Sequence, residues 1–100
     1  MTRDVAVIGL GRVGLPLALA FADRGLSVVG VDVDQARLSA VREGRMPFEE
    51  TDGQVVLDRV HAAGRLTVGD RVTDAAEARA IVITVSRVMP GRIDADRSGV

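Results

Sequence analysis

Three closely spaced glycines, in Gly9-Leu10-Gly11-Arg12-Val13-Gly14, are the first residues in this sequence whose spacing could do chemistry. The run before them, Val5-Ala6-Val7-Ile8, is short, apolar and continuous, as a strand buried on both faces reads. Helical periodicity follows from about Arg12 to Arg24, with Gly25 placed to end it. A glycine turn between a strand and a helix start is an anion site, because free N–H groups and the positive end of the helix dipole face outward there. Gly9 permits the tight turn, Gly11 lets backbone amides approach a pyrophosphate, and Gly14 allows close helix–sheet packing. Asp32 ends the next β-branched run, 18 residues beyond Gly14. A carboxylate there accepts hydrogen bonds from ribose hydroxyls and repels a 2′-phosphate. The residue after it is Val33 rather than Arg, which points the same way. Glycine-rich turns near a surface Asp are common. Strand, turn, helix and acidic strand end together read as a dinucleotide site that prefers NAD to NADP.

The elements that must hold these residues follow from pattern and punctuation. Ser27 to Val31 reads as a second strand, and Asp34 can N-cap a helix over about Gln35 to Glu43 that Gly44 stops. Arg45 to Phe48 is loop. Thr51 and Gln54 suggest a capping box for a helix through about Ala63, closed by Gly64. Leu66-Thr67-Val68 is a short strand, Gly69-Asp70 a turn, and Thr73 or Asp74 can start a short helix. Ala80 to Val85 is the last strand. Strands alternating with helices imply right-handed crossovers and a parallel sheet. The expected fold is α/β: a partial Rossmann fold with strand order 3-2-1-4 and helices on both faces. Residues 1–85 form this partial domain and 86–100 an irregular tail. The outer edge of strand 80–85 would normally pair with the next strand of the second half, which is not evident in Ser86 to Val100. The expectation is self-association through this edge, or a partner that covers it.

Composition excludes several classes. Formal net charge is −1 with the charges well mixed, so no basic patch points to nucleic acid. There are no cysteines, which removes disulfides, thiolate zinc sites and a thiol nucleophile. Every cationic side chain is Arg; Lys and Asn are absent. Val5 to Ala22 is mostly apolar and mimics a secretory segment, but Asp4, Arg12, Gly9, Gly11, Gly14 and Pro16 all argue against that. The expected compartment is the cytoplasm, with no membrane association.

From Val7 through Pro16 the sequence resembles the UDP-glucose/GDP-mannose dehydrogenase family. The likeness continues through Gly30-Val31-Asp32-Val33-Asp34, Gly44-Arg45-Met46-Pro47-Phe48-Glu49-Glu50 and Gly64-Arg65-Leu66-Thr67, and covers about residues 5 to 85. Pro16 and the Pro-Phe-Glu segment are more family-specific than the glycines. They separate the chain from hydroxyisobutyrate dehydrogenase-like relatives. The resemblance implies an oxidoreductase that takes the C6 alcohol of a nucleotide sugar to a carboxylate, with NAD as oxidant and a cysteine thioester intermediate. It places Arg12 and Val13 beside the pyrophosphate, Asp32 on the adenine ribose and Arg37 next to that ribose or adenine. Arg12 stands where the family often has Tyr, and a cation suits a phosphate. Both arginines also read as solvated helix surface, and Glu49 and Glu50 as surface loop. Where the family has Thr-Pro after the last strand, this chain reads Val85-Ser86-Arg87-Val88; Ser86 is the candidate hydroxyl there. The family's catalytic Cys and Lys fall beyond residue 100, and His61, in a charged helix, reads as a satisfied or exposed residue. The implied function is therefore the NAD-binding portion of a nucleotide-sugar dehydrogenase, inactive unless another chain supplies the sugar-binding half. The alternatives are an NAD-responsive binding module and a truncated product without function.

Overall fold

The structure is a computed structural model and describes residues 2–84. Its elements run β1 (Arg3–Ile8), α1 (Gly14–Asp23), β2 (Val28–Val31), α2 (Gln35–Arg42), α3 (Gly53–Ala63), β3 (Leu66–Gly69), a 3-10 turn (Val72–Ala75) and β4 (Ala78–Ile83). The four strands form one parallel sheet in the order β3-β2-β1-β4, as expected from the alternation of elements. Register places Val7 beside Gly30 on one side and Val82 on the other, so the ends of β1 and β2 lie together.

The two faces of the sheet are covered differently. Val5, Val7 and Val28 point into the main core, where Leu15, Ala18, Leu19 and Ala22 of α1, Leu38 and Val41 of α2, and Leu57 and Val60 of α3 cover them. Truncating a fully buried leucine here, such as Leu15, removes packing worth about 2–5 kcal/mol. On the opposite face Ala6, Val29 and Val31 meet Ala75 of the 3-10 turn. Ile81 and Ile83, which register with Ala6 and Ile8, remain exposed. An Asp23–Arg59 ion pair, bidentate at 2.8 and 2.9 Å, ties α1 to α3 on the surface.

Each α-helix is followed by a glycine in the left-handed region, Gly25, Gly44 and Gly64, as the sequence predicts. Asp34 caps α2 by accepting from the Arg37 N–H at 3.0 Å. The Thr51–Gln54 capping box does not form. The N-cap of α3 is Asp52, in a left-handed conformation that cannot aim a capping side chain at the first turn. Gln54 instead accepts from the Met46 N–H and donates to the Gly44 carbonyl and to Asp58. It thereby satisfies loop groups that no ladder pairs. The segment at Thr73-Asp74 is a 3-10 turn rather than an α-helix, with the Asp74 carboxylate accepting from the Arg71 N–H. Finally, β4 begins at Ala78, two residues before its apolar run, because pairing with Arg3 extends the ladder backwards. Val85 and the expected tail 86–100 lie outside the described residues.

Candidate functional site

The glycine turn leaves β1 at its C-terminal end and folds over the end of β2. Gly9 has φ +97°, a conformation that L side chains rarely adopt, and its N–H donates to the Val31 carbonyl at 2.8 Å. A Cβ at Gly14 would overlap the Gly9 carbonyl oxygen, so only glycine lets α1 start this close to the turn. Gly11 is half-buried, and its carbonyl accepts from Leu15 in the first turn of the helix. The N-cap of α1 is Val13, which carries no acceptor, and the first turn has no acidic residue. Its N–H groups thus meet no side-chain cap, unlike those of α2. A helix start in that state favours an anion.

Asp32 follows the last residue of β2 and sits against this turn. Its Oδ2 accepts from the Leu10 N–H at 2.7 Å and from Arg37 Nη1 at 3.2 Å; its Oδ1 accepts from the Asp34 N–H at 2.9 Å. The carboxylate is 10% exposed. Burial pushes its pKa upward, but the N–H groups of Asp34 and Leu10 and the Arg37 guanidinium outweigh this and hold it below the ordinary carboxylate range. It is a fixed anion beside the turn. These features fit an adenosine pyrophosphate: a close backbone approach, an uncapped helix start and a charged acceptor for hydroxyls.

The structure brings Gly9, Gly11, Gly14, Asp32 and Arg37 together. Arg12 and Val13 lie on the turn and are exposed, Val13 at 69%. The Arg12 guanidinium rests 4.8 Å from the centre of the Phe48 ring, joining the turn to the Pro-Phe-Glu segment. Glu49 and Glu50 line an open cleft of about 750 Å³ with Met46, Pro47, Phe48, Thr51 and Gln54. His61 is exposed, its Nε2 3.0 Å from the Arg42 carbonyl at the end of α2. Ser86 lies outside the described residues. Among the described residues no group of three or more His, Cys, Asp or Glu could hold a metal.

Two contributors escaped the sequence reading. Thr84 follows β4, and its hydroxyl lies 2.9 Å from the Gly9 carbonyl and 3.3 Å from that of Ile8, clasping the turn from the neighbouring strand. The other is Leu10, the unspecified residue between the first two glycines. It is fully buried and lies over Gly30, where a Cβ would come within 2.8 Å of its Cδ1. Leu10 is thereby pinned, and its N–H stays on Asp32. The apolar character of Leu10 and the glycine inside β2 were the available signals, but only the sheet register connects them.

Known proteins share both the pattern and the fold. The family model described as UDP-glucose/GDP-mannose dehydrogenase family, NAD binding domain, matches residues 3–97. The UDP-N-acetyl-D-mannosamine dehydrogenase of Methanococcus aeolicus is 34% identical over 97 residues, 97% of this chain and 20% of that protein. Among solved structures, the UDP-D-ManNAc dehydrogenase of Pyrococcus horikoshii superposes with a TM-score of 0.81 at 34% identity, covering 88% of this chain and 21% of that one. A UDP-glucose dehydrogenase from Pyrobaculum islandicum gives 0.78 at 34% identity over 85% of this chain and 20% of the other. The chain spans about a fifth of the length of the curated relatives it matches. With the glycine turn, the following acidic strand end and the 3-2-1-4 sheet all in place, the chain belongs to the UDP-glucose/GDP-mannose dehydrogenase family, of which it carries the NAD binding domain.

Proposed function

We propose that this chain holds the adenosine diphosphate end of NAD for the oxidation of a nucleotide sugar. The observation that carries this reading is Asp32, a largely buried carboxylate fixed by two backbone N–H groups directly against the glycine turn. In this reading the N–H groups at Arg12, Val13 and Gly14 face the pyrophosphate, Gly9 and Gly11 give it room, and Asp32 takes the adenine ribose hydroxyls. Arg37 flanks that ribose and Ser86 supplies a hydroxyl from beyond β4. Bound NAD supplies the hydride acceptor; the protein's part is to hold its anionic end and orient it. The 100 residues contain no Cys and no Lys, so thioester chemistry of the family's kind needs residues outside them.

The same reading assigns a role to the bare side of the sheet. Ile81 and Ile83 are 52% and 67% exposed, and among the described residues β4 pairs only with β1. We infer that further protein covers this face and edge, either the sugar-binding part of a dehydrogenase or a second copy of the chain. No helix among the described residues is long and apolar enough to cross a membrane. A cytoplasmic location suits the use of NAD.

Titration of the chain with NAD and NADP by calorimetry tests the cofactor assignment. NAD should bind more tightly than NADP, and Asp32→Ala should weaken NAD while the fold persists by circular dichroism. Equal or tighter NADP binding would overturn the role given to Asp32. Light scattering after size exclusion tests the covered face; a monomer at all concentrations removes the second copy from consideration.

A further inference from the structure

Two consecutive peptides at the end of β1 are held across the sheet, by different means. The Ile8–Gly9 peptide is held on both sides by main chain: its carbonyl accepts from the Thr84 N–H at 2.9 Å, and its N–H donates to the Val31 carbonyl at 2.8 Å. The next peptide, Gly9–Leu10, is held on both sides by side chains. Its carbonyl accepts from the Thr84 hydroxyl at 2.9 Å, and its N–H donates to Asp32 Oδ2 at 2.7 Å. Thr84 and Asp32 follow β4 and β2, the two strands that flank β1. A hydroxyl carries one proton. The Ile8 carbonyl, 3.3 Å away, already has the Thr84 N–H, so that proton goes to Gly9. A peptide unit is planar and turns as a whole. Glycine resists such a turn little, and the residue before this peptide is Gly9, at φ +97°. A Cβ at Gly14 would overlap the Gly9 carbonyl oxygen and come within 2.8 Å of the Thr84 hydroxyl, so the third glycine also keeps room for this bond.

We propose that Thr84 is a positioning residue for the cofactor: through the Gly9–Leu10 peptide it aims the Leu10 N–H at Asp32 from the far side of β1. The proposal rests on the dinucleotide reading above. Of the three donors on the Asp32 carboxylate, only the Leu10 N–H comes from the glycine turn; the other two are Asp34 and Arg37, two and five residues beyond Asp32. The Leu10 bond therefore ties the ribose acceptor to the turn that faces the pyrophosphate. Without the Thr84 hydroxyl the Gly9 carbonyl loses this partner, and the peptide is free to rotate toward water. The Leu10 N–H then leaves Asp32, and the carboxylate and the turn no longer hold one fixed spacing. Ribose and phosphate contacts made together are weakened by a side chain that touches neither.

The test is amide hydrogen exchange by NMR on the 100-residue chain, with a titration of 5′-AMP, which carries both a ribose and a phosphate. Three proteins are compared: wild type, Thr84→Val and Thr84→Ser. Valine keeps the shape and removes the hydroxyl, whereas serine keeps the hydroxyl. In Thr84→Val the Leu10 amide should exchange about tenfold faster than in wild type, the scale of one lost hydrogen bond. The amide of Val7, inside β1, should change by less than about threefold. 5′-AMP should bind Thr84→Val at least about threefold more weakly. Thr84→Ser should restore both readings. Unchanged Leu10 exchange in Thr84→Val overturns the proposal. Equal acceleration at Leu10 and Val7 does too, because a general loss of stability would then be the cause. A serine variant that behaves like the valine variant also overturns it. If Thr84→Val does not fold, Thr84→Ala against Thr84→Ser carries the same comparison. A wild-type chain that binds neither 5′-AMP nor NAD overturns the dinucleotide reading itself, whereas 5′-AMP binding that Thr84→Val leaves intact sinks the role of Thr84 alone.

Discussion

Gly30→Ala puts a methyl group where the structure has no room for one. The new Cβ would lie 2.8 and 2.9 Å from the two Cδ atoms of Leu10 and 3.3 Å from its Cγ. Leu10 has no solvent exposure and packs in the main core with Val7, Leu15 and Leu38, so its side chain cannot step aside into open space. Overpacking of this kind costs about 1–3 kcal/mol. For a domain of this size each kcal/mol lowers the melting temperature by about 4–8 °C. A shift of Leu10 also drags its N–H from Asp32, removing one of the three donors that hold that carboxylate charged. The assay is urea unfolding of wild type, Gly30→Ala, Leu10→Val and the double variant. Leu10→Val removes a methylene at the clash, so the double variant should be more stable than the sum of the singles by about 1 kcal/mol. A Gly30→Ala cost below about 0.5 kcal/mol, or strictly additive singles, would refute the packing argument.

Three further outcomes are expected. Because Asp32 titrates below its unfolded value of about 3.9, its stabilisation is complete above about pH 4 and is lost as pH falls through the lowered native pKa. The gap in urea midpoint between wild type and Asp32→Asn should therefore narrow from about pH 7 to about pH 3, and a widening gap would contradict the sign. The Arg12–Phe48 contact should show as a coupling of about 0.5–1 kcal/mol in a cycle of Arg12→Gln and Phe48→Leu, read by thermal unfolding; zero coupling would mean the ring only fills space. The purified 100-residue chain should form no NADH with UDP- or GDP-sugars, since it carries neither the thiol nor the lysine that the family's route employs. Sustained turnover free of contaminating enzyme would demand another mechanism.

The amino-acid sequence by itself determined the features whose causes are local. Gly9 turns the chain because its neighbours allow only a tight bend there; Gly25, Gly44 and Gly64 stop helices; Asp34 caps α2 within three residues of itself. The strand order was also legible, because parallel strands joined by right-handed crossovers leave few alternatives. Asp32 stood out in the sequence for a local reason: one acidic residue type at one strand end, after a glycine turn. Tertiary structure decided what depends on meetings between distant segments. Thr84 reaches Gly9 across 75 positions, Leu10 lies over Gly30, and Phe48 receives Arg12. Gln54 left its expected cap because unpaired loop carbonyls and amides offered better hydrogen bonds. Arg37 read equally as solvated surface or ribose neighbour until the fold set it on Asp32 at 3.2 Å. Backbone preferences act over a few residues and are written in residue types. Register, close approach and ion pairing arise only when the sheet has aligned strands from opposite ends of the chain.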